Sequence, residues 1–589
     1  MEPRTRLPAW AAALVGVTAG AVALGVAQLV AGGLGETSAI IAVGNSAVDL
    51  TPLWLKEWAI RTFGENDKNV LISGILAVIV LFAATLGLLS RRRVGFGVTG
   101  LYLFGVVGMV AVLSGAEAGP FAILPPLLGA AAGAMALSSL FRRLEPPPWA
   151  ESERAAAERA ERKSEHAAAE RELAERESEH AAAEQEPVEG GSDRAAEQEP
   201  AERESEHAAA EQEPVKGGSD AEMPPVMRAG SDLYAFNRRK LLTGVSVGLG
   251  VAGVSGVAGQ LLAGRNDVSA ERTAIAKALP TPATPLPPLP AGVDFKLPNL
   301  SPFTTPNHDF YRVDTALVVP SVDPKSWSLK IHGMVDKPIE ITFDELLRRP
   351  LTEADVTLTC VSNEVNGPYV GNARWLGVRM ADILREAGLH ADADMLLSTS
   401  TDGFTCGTPV DIVMDGRDAL FAIAMNGEVL PVAHGFPVRQ VVPGLYGYVS
   451  ATKWVTDIKV TRYDLDEAYW TPRGWSAKGP IKTGSRIDVP RNKVKPGRNT
   501  IAGVAWAQHR GIEKVEVQVD EGEWRVARLA EVPNLDTWRQ WAIEWDFTPG
   551  LHNIRCRATD GTGQTQTANG APPAPSGATG YPSVLMEAV

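Results

Sequence analysis

Hydrophobic and polar positions follow two different rules along this chain. Up to about residue 265 the apolar residues come in long unbroken runs, and beyond it in short alternating ones. Trp10–Ala31, Val70–Leu89, Val94–Leu113 and Pro120–Leu140 are uncharged and near the ~20 residues that carry a helix across a hydrocarbon core. A fifth, Gly-rich run covers Leu241–Ala263. Arg4 and Arg6, Arg91-Arg-Arg93, Arg142-Arg143 and Arg238-Arg-Lys240 flank these runs, and placing all four clusters in the cytoplasm gives an alternating five-span path. That path puts residues 265–589 outside the cytoplasm, in a multi-pass protein of the cell membrane. The segment between the first two spans, 34–68 with Trp54 and Trp58, also faces outward and suits the membrane interface. Apart from Glu117 in a short outer loop, the first four spans carry no charge and read as an anchor or protein-docking bundle in contact with lipid.

Residues 145–236 are a low-complexity Ala/Glu/Arg stretch. Ser-Glu-His-Ala-Ala-Ala-Glu recurs at 164–170, 178–184 and 205–211, and Pro-Gly-Gly pieces interrupt it. This predicts a cytoplasmic spacer, part helical and part disordered. His166, His180 and His207 repeat within it and read as solvated. The run Thr281-Pro-Ala-Thr-Pro-Leu-Pro-Pro-Leu-Pro290 predicts a stiff extended linker across 266–299 that lifts the soluble half off the membrane.

In the soluble half, Ser328–Gly333, Glu340–Phe343 and Asp355–Cys360 read as strands. Phe343–Leu347 reads as a short helix capped by Asp344, and Val378–Gly388 as an amphipathic helix ended by glycine. Short mixed elements predict an α+β domain over 300–480. From 481 to 589 nearly every signal is β. Lys514–Asp520 alternates strictly, Asp520-Glu-Gly522 turns the chain, and Trp524–Leu529, Trp541–Phe547 and His552–Ala558 continue the pattern, which predicts a small immunoglobulin-like sandwich.

The 589 residues allow two or three domains, and the net charge of -14 argues against nucleic acid as a partner. Three cysteines are too few for a disulfide framework. Cys406 and Cys556 read as small buried hydrophobes.

Cys360 reads differently because of what surrounds it. It precedes Val-Ser-Asn363-Glu-Val-Asn-Gly367, then Arg374-Trp-Leu-Gly, and far downstream His434-Gly-Phe-Pro-Val-Arg439. With Thr305-Pro-Asn307, Phe310-Tyr-Arg312, Val322-Asp-Pro324, Met425-Asn-Gly427 and Lys453-Trp454, this order resembles the sulfite oxidase family of molybdenum enzymes, over about 305–560. The resemblance implies a cofactor domain followed by an immunoglobulin-like domain that often makes a homodimer. It implies a molybdenum–molybdopterin cofactor whose metal takes the Cys360 thiolate, and two-electron oxygen-atom transfer on a small molecule. Arg439 and Lys453 would contact the terminal phosphate, and His434 and Asp402 the pterin. Tyr311, Thr315 and Ser450 would line the same pocket, and Arg312 would help hold substrate. Arg374 reads as a structural ion pair. Asn237-Arg238-Arg239-Lys-Leu-Leu-Thr243 resembles a twin-arginine signal, which suits a domain loaded with cofactor before export.

The chain departs from sulfite oxidases where those enzymes place substrate arginines. Val365 stands five residues after the cysteine, and Gly474-Trp475 replaces a family tyrosine. A sulfoxide, an N-oxide or a sulfite-like oxyanion therefore all stay open as substrate. No haem is expected in this chain, because no Cys-x-x-Cys-His occurs and all nine histidines lie outside the spans. The electron partner is then separate: a cytochrome, a redox protein or a quinone. The alternative reading is a cofactor-free, sulfite-oxidase-like binding module attached to a docking bundle.

Overall fold

The computed structural model describes residues 7–52, 55, 58, 62–63, 67–115, 119–144, 159–160, 162–164, 166–170, 238–263 and 268–589. Trp54, Glu117, His180, His207, Asn237 and most of the 145–236 stretch lie outside these residues. Among the described residues five helices are long and apolar enough to cross a membrane. They are α1 (Ala9–Leu34), α3 (Asp67–Ser90), α4 (Val94–Leu113), α5 (Leu124–Leu144) and α6 (Arg238–Ala263), and a shorter α2 (Ala39–Leu50) follows the first.

Packing divides the chain into two units. One takes residues 1–23, 79–102 and 131–252, and the other takes 24–78, 103–130 and 253–589. The first unit is helical. Ala12, Val15 and Ala19 of α1 pack with Leu86, Leu101, Leu137 and Leu241 in its core. Leu81, Leu88, Leu89, Met135, Leu242 and Val247 are exposed on it. Apolar surface of that extent is unfavourable in water and suits contact with lipid.

In the second unit the part from Ser328 to Thr461 is built on two sheets. The first has the order β2 (Ile339–Thr342), β1 (Ser328–Gly333), β10 (Val455–Thr461), β5 (Met395–Ser400), β6 (Thr405–Pro409). Its β1–β10 pair is parallel, with Ile331 opposite Ile458, and the other pairs are antiparallel. The second sheet runs β3 (Leu351–Thr359), β4 (Val370–Arg379), β7 (Leu420–Met425), β8 (Glu428–Val429), with β9 (Arg439–Val441) also on β7. Leu329, Ile331, Val378, Phe421 and Ile458 of the two sheets share one core. Arg374 forks onto Asp355, the residue opposite it on β3, at 2.9 and 2.7 Å.

The helices differ in detail from the sequence pattern. Phe343–Leu347 is a helix, but Thr342 caps it, not Asp344. The Thr342 hydroxyl accepts from the Glu345 N–H while the Glu345 carboxylate accepts from the Thr342 N–H. The amphipathic helix is Met380–Ala387, because Val378 and Arg379 pair in β4. Gly388 ends it in the left-handed region at φ 71°.

The Pro-rich stretch does not stand off as a spacer. Thr284 bridges to Thr352 at the β3 edge, and the Ala283 N–H donates to the Leu351 carbonyl. A chain with few N–H groups can lie along a sheet edge without leaving donors unpaired. Ahead of it, Ser269–Lys277 forms a short helix, and Arg272 donates to the carbonyls of Val429 and Leu430.

The C-terminal region is all β, in two sheets. One has the order β11 (Gly484–Val489), β13 (Gly497–Trp506), β17 (Arg539–Phe547), β16 (Arg528–Leu529). The other runs β12 (Lys493–Val494), β19 (Ser583–Ala588), β18 (Gly550–Asp560), β14 (Ile512–Val519), β15 (Arg525–Val526). Ile501 and Trp541 from one sheet and Val517 and Ile554 from the other meet in a common core. This region braces β3. The Gln508 amide donates to the Thr357 carbonyl at 2.8 Å, and the Trp538 N–H donates to the Thr357 hydroxyl at 2.7 Å. Cys406 and Cys556 are buried and free, as their surroundings suggested.

Ile458 is fully buried where the two sheets meet. Ile458→Ala is expected to cost about 2–5 kcal/mol, read as a lower midpoint in denaturant with an unchanged slope.

Candidate functional site

A cavity of about 420 Å³ opens at the end of β3. Its wall carries Cys360, His434, Arg439, Lys453, Asp402 and Tyr311. Thr315 and Trp475 also face it.

β3 is buried on both faces and ends where Cys360 begins. The Cys360 N–H donates to the Tyr369 carbonyl at 3.0 Å, and the Cys360 carbonyl accepts from the Asn363 N–H at 3.1 Å. Asn363 Oδ1 accepts the Tyr369 N–H at 2.8 Å. The loop is thus tied at both ends, and the sulfur is held at the cavity wall. Burial pushes the Cys360 thiol above its ordinary value. Hydrogen bonds from the Ser362 N–H and hydroxyl, and the charge of Lys453, oppose that shift.

His434, Arg439 and Lys453 converge through one glycine. Gly435 ends the short 3₁₀ turn Val432–His434 at φ 109°. A Cβ there would lie 2.9 Å from Arg439 Cβ and 3.1 Å from Lys453 Cβ, so a side chain would force the two cations apart. His434 Nε2 lies 3.1 Å from the Asn307 carbonyl. A carbonyl can only accept, so Nε2 carries the proton and Nδ1 remains an acceptor. Burial, then the charges of Arg439 and Lys453, lower the imidazole to about 4, and it is neutral at physiological pH.

Arg439 is buried, and among the described residues it donates to carbonyl oxygens: His434 at 3.1 Å, Gln440 at 3.5 Å and Ala451 at 3.5 Å. Its guanidinium lies 4.9 Å from the Trp375 ring. No carboxylate among the described residues pairs with it, and burial lowers it to about 10. A buried cation without an anion is costly unless one is supplied from outside the chain. Lys453 donates to Asp314 at 2.7 Å, and burial lowers it to about 8 against the pull of that carboxylate.

Asp314 is the centre of the charged wall. Its side chain is 3% exposed and accepts from Lys453, from Arg312 at 2.8 Å and from Lys68. Although burial works against ionisation, Lys453 and Lys68 hold its carboxyl below the usual carboxylate range. Lys68 also donates to the Ala316 carbonyl at 2.6 Å.

Seven of the residues marked from the sequence are therefore brought to one cavity: Tyr311, Thr315, Cys360, Asp402, His434, Arg439 and Lys453. Arg312 reaches it only through Asp314. Ser450 does not reach it, because its hydroxyl donates to the Leu445 and Tyr446 carbonyls at 3.1 and 3.0 Å. Val365 turns toward Gly580, where a Cβ would sit 3.6 Å from Val365 Cγ2. Trp475 does line the cavity, and its buried indole N–H has no acceptor among the described residues. Asp314 and Lys68 were missed. Asp314 is the one acid in 310–317, between two marked positions, which is a usable signal. Lys68 lies 246 residues from its partner, and nothing local marks it.

A buried thiol, a neutral imidazole with a free acceptor and two buried cations are a donor set for a metal held by a phosphate-bearing organic cofactor. Such a set suits a protein that works through a bound cofactor. Residues 316–470 match the family described as "Oxidoreductase molybdopterin binding domain". The chain is 32% identical to "Uncharacterized oxidoreductase YuiH" of Bacillus subtilis over 157 residues, 27% of this chain and 76% of that one. It is 30% identical to the mitochondrial sulfite oxidase of Homo sapiens over 309 residues, 44% of this chain and 56% of that one. The chain thus spans about half the length of that enzyme. Among solved structures, the sulfane dehydrogenase SoxCD of Paracoccus pantotrophus is 24% identical, covering 49% of this chain and 84% of that one, at a TM-score of 0.43. The chain belongs to the sulfite oxidase family of molybdopterin oxidoreductases.

Asp314→Asn would leave three cations facing one another. It is expected to lower stability by on the order of 3 kcal/mol, seen as a lower Tm of the full chain, with Asp314→Glu recovering much of it. His434 is neutral when folded to about pH 4, whereas an unfolded imidazole protonates near 6.5. Unfolding therefore takes up a proton in that window, and stability falls as pH is lowered from 6.5 toward 4. Thermal shifts of His434→Gln are expected to lack that part of the slope.

Proposed function

We propose that this chain is a membrane-anchored molybdopterin-dependent oxidoreductase whose catalytic domain acts outside the cytoplasm on a small substrate. The observation that carries the reading is Arg439: a buried guanidinium, beside a buried thiol, with no carboxylate partner among the described residues. A molybdopterin bound there supplies the two-electron oxygen-atom exchange that side chains lack.

The chain's own groups divide the remaining work. Cys360 presents its sulfur to the metal, and must give up its proton to do so. Arg439 and Lys453 take the terminal phosphate, one as a fork and one as a point charge. His434, whose Nδ1 is an acceptor, would hold the pterin together with Asp402 and Tyr311, which would offer an acceptor and a donor. Thr315 holds Asp402 through a 3.4 Å hydrogen bond. Asp314 positions Lys453, Arg312 and Lys68. A cofactor-free binding module has no use for such a set.

An uncharged oxo compound, such as a sulfoxide or N-oxide, suits the cavity better than sulfite. The cations on its wall are engaged in this reading, Arg439 and Lys453 by the phosphate and Lys68 by Asp314; Val365 turns away from it, and much of the remaining lining is aromatic or aliphatic. The five apolar helices and the arginine clusters support an alternating membrane path with 265–589 outside. Arg238 and Arg239 open α6, which suits a twin-arginine signal. We read 300–480 as the cofactor domain and 481–589 as immunoglobulin-like. Leu551 and Leu585 are exposed on neighbouring strands of the latter, which suits a homodimer surface. A separate carrier would exchange electrons with the site.

Full-length protein from a cofactor-competent host should carry about one molybdenum per chain, and Cys360→Ser should lose most of it. Elemental analysis finding no molybdenum in the wild type would overturn the reading.

A further inference from the structure

The cavity has a second wall that the cofactor residues do not use. Val48, Thr51, Leu55 and Trp58, from α2 and the stretch after it, line it together with Val70 and Leu71 from the first turns of α3. Val313 and Leu317 supply further apolar lining. The contact between these segments is close: a Cβ on Gly44 of α2 would fall 2.5 Å from Leu317 Cδ1. The same side is exposed and apolar, with Trp58 53%, Val70 41%, Val313 46% and Val318 52% open. Leu50, at the end of α2, is 84% exposed.

An exposed apolar patch beside a cavity marks a binding site or a membrane contact. Here α3 does both jobs. Its first turns line the cavity, and it continues as an uncharged apolar helix to Ser90. On the membrane path proposed above, a ligand that reaches the wall along α3 arrives from the bilayer edge. It is therefore lipid-soluble and uncharged. Among lipid-soluble molecules, a quinone can take or give both electrons of such a site.

Resting on the functional reading above, we infer that this wall binds a membrane quinone, which exchanges electrons with the cofactor site directly. The overall step balances as substrate plus water plus quinone giving oxidised substrate plus quinol. The oxygen comes from water, two electrons leave the substrate, and the two protons from water end on the quinone oxygens. The reverse reduces an oxo compound at the expense of quinol.

The test uses full-length protein in lipid nanodiscs, assayed first for molybdenum and then for saturable binding of decylubiquinone. Val70→Glu and Leu71→Glu place a charge on the wall at the membrane end. The wild type is expected to bind about one quinone per chain, and each variant to bind at least about ten-fold more weakly with molybdenum content unchanged. Molybdenum present without saturable binding, or wild-type affinity in both variants, overturns this inference and leaves the functional reading standing. Absence of molybdenum from the wild type overturns both. Should the variants lose their cofactor, photolabelling of the wild type with an azidoquinone decides. Label on residues 48–51, 55, 58, 70–71 or 310–318 supports the site, and label confined elsewhere overturns it.

Discussion

Arg439 holds a full positive charge in the protein interior with carbonyl oxygens as its hydrogen-bond partners. Nothing in ordinary core packing calls for that arrangement, because a buried cation is stabilising only when an anion completes it. Much of the surrounding structure serves it. Gly435 gives up a side chain so that Arg439 and Lys453 can approach each other, and His434 stays neutral beside them. Asp314 takes the charge of Lys453, Arg312 and Lys68 and leaves Arg439 without a carboxylate. The wall is therefore poised for an anionic group that arrives with the cofactor.

The thiol is fixed by a different route. Cys360 ends β3, and β3 is clamped from two directions. Arg374 and Asp355 tie it to β4, while Gln508, just after β13, and Trp538, just before β17, hold Thr357. A sulfur meant for a metal tolerates little positional error, and this strand is braced by buried hydrogen bonds from its neighbouring strand and from two loops of the C-terminal region. The C-terminal region thus contributes to the site without lining it.

Much of the soluble half was legible as alternation. β1, β2, β14, β17 and β18 fall where period-two patterns lie, because each has one face in a core. The apolar runs were legible because length and lack of charge suffice to mark them. Errors came where a residue has two local roles. Thr342 and Asp344 can both cap a helix, and the one whose hydroxyl reaches the Glu345 N–H wins. Val378 and Arg379 fit a helical face, yet pairing with Phe421 and Leu420 keeps them in β4. Ser450 sits near Lys453 in sequence, but its hydroxyl is spent on its own turn.

By itself the sequence determined the family, the cysteine and the cations, because a motif set in fixed order carries chemistry that composition cannot. It also determined the apolar helices, since spanning length is a one-dimensional property. Only the tertiary structure decided who shares the cavity. It placed Asp314 at the centre of three cations and turned Val365 away. It laid the Pro-rich stretch along β3 and brought Lys68, Val70 and Leu71 to the wall opposite the thiol's domain partners. Most of those contacts join segments far apart in the chain, and the energies that select them are burial and charge pairing between segments, which no local pattern records.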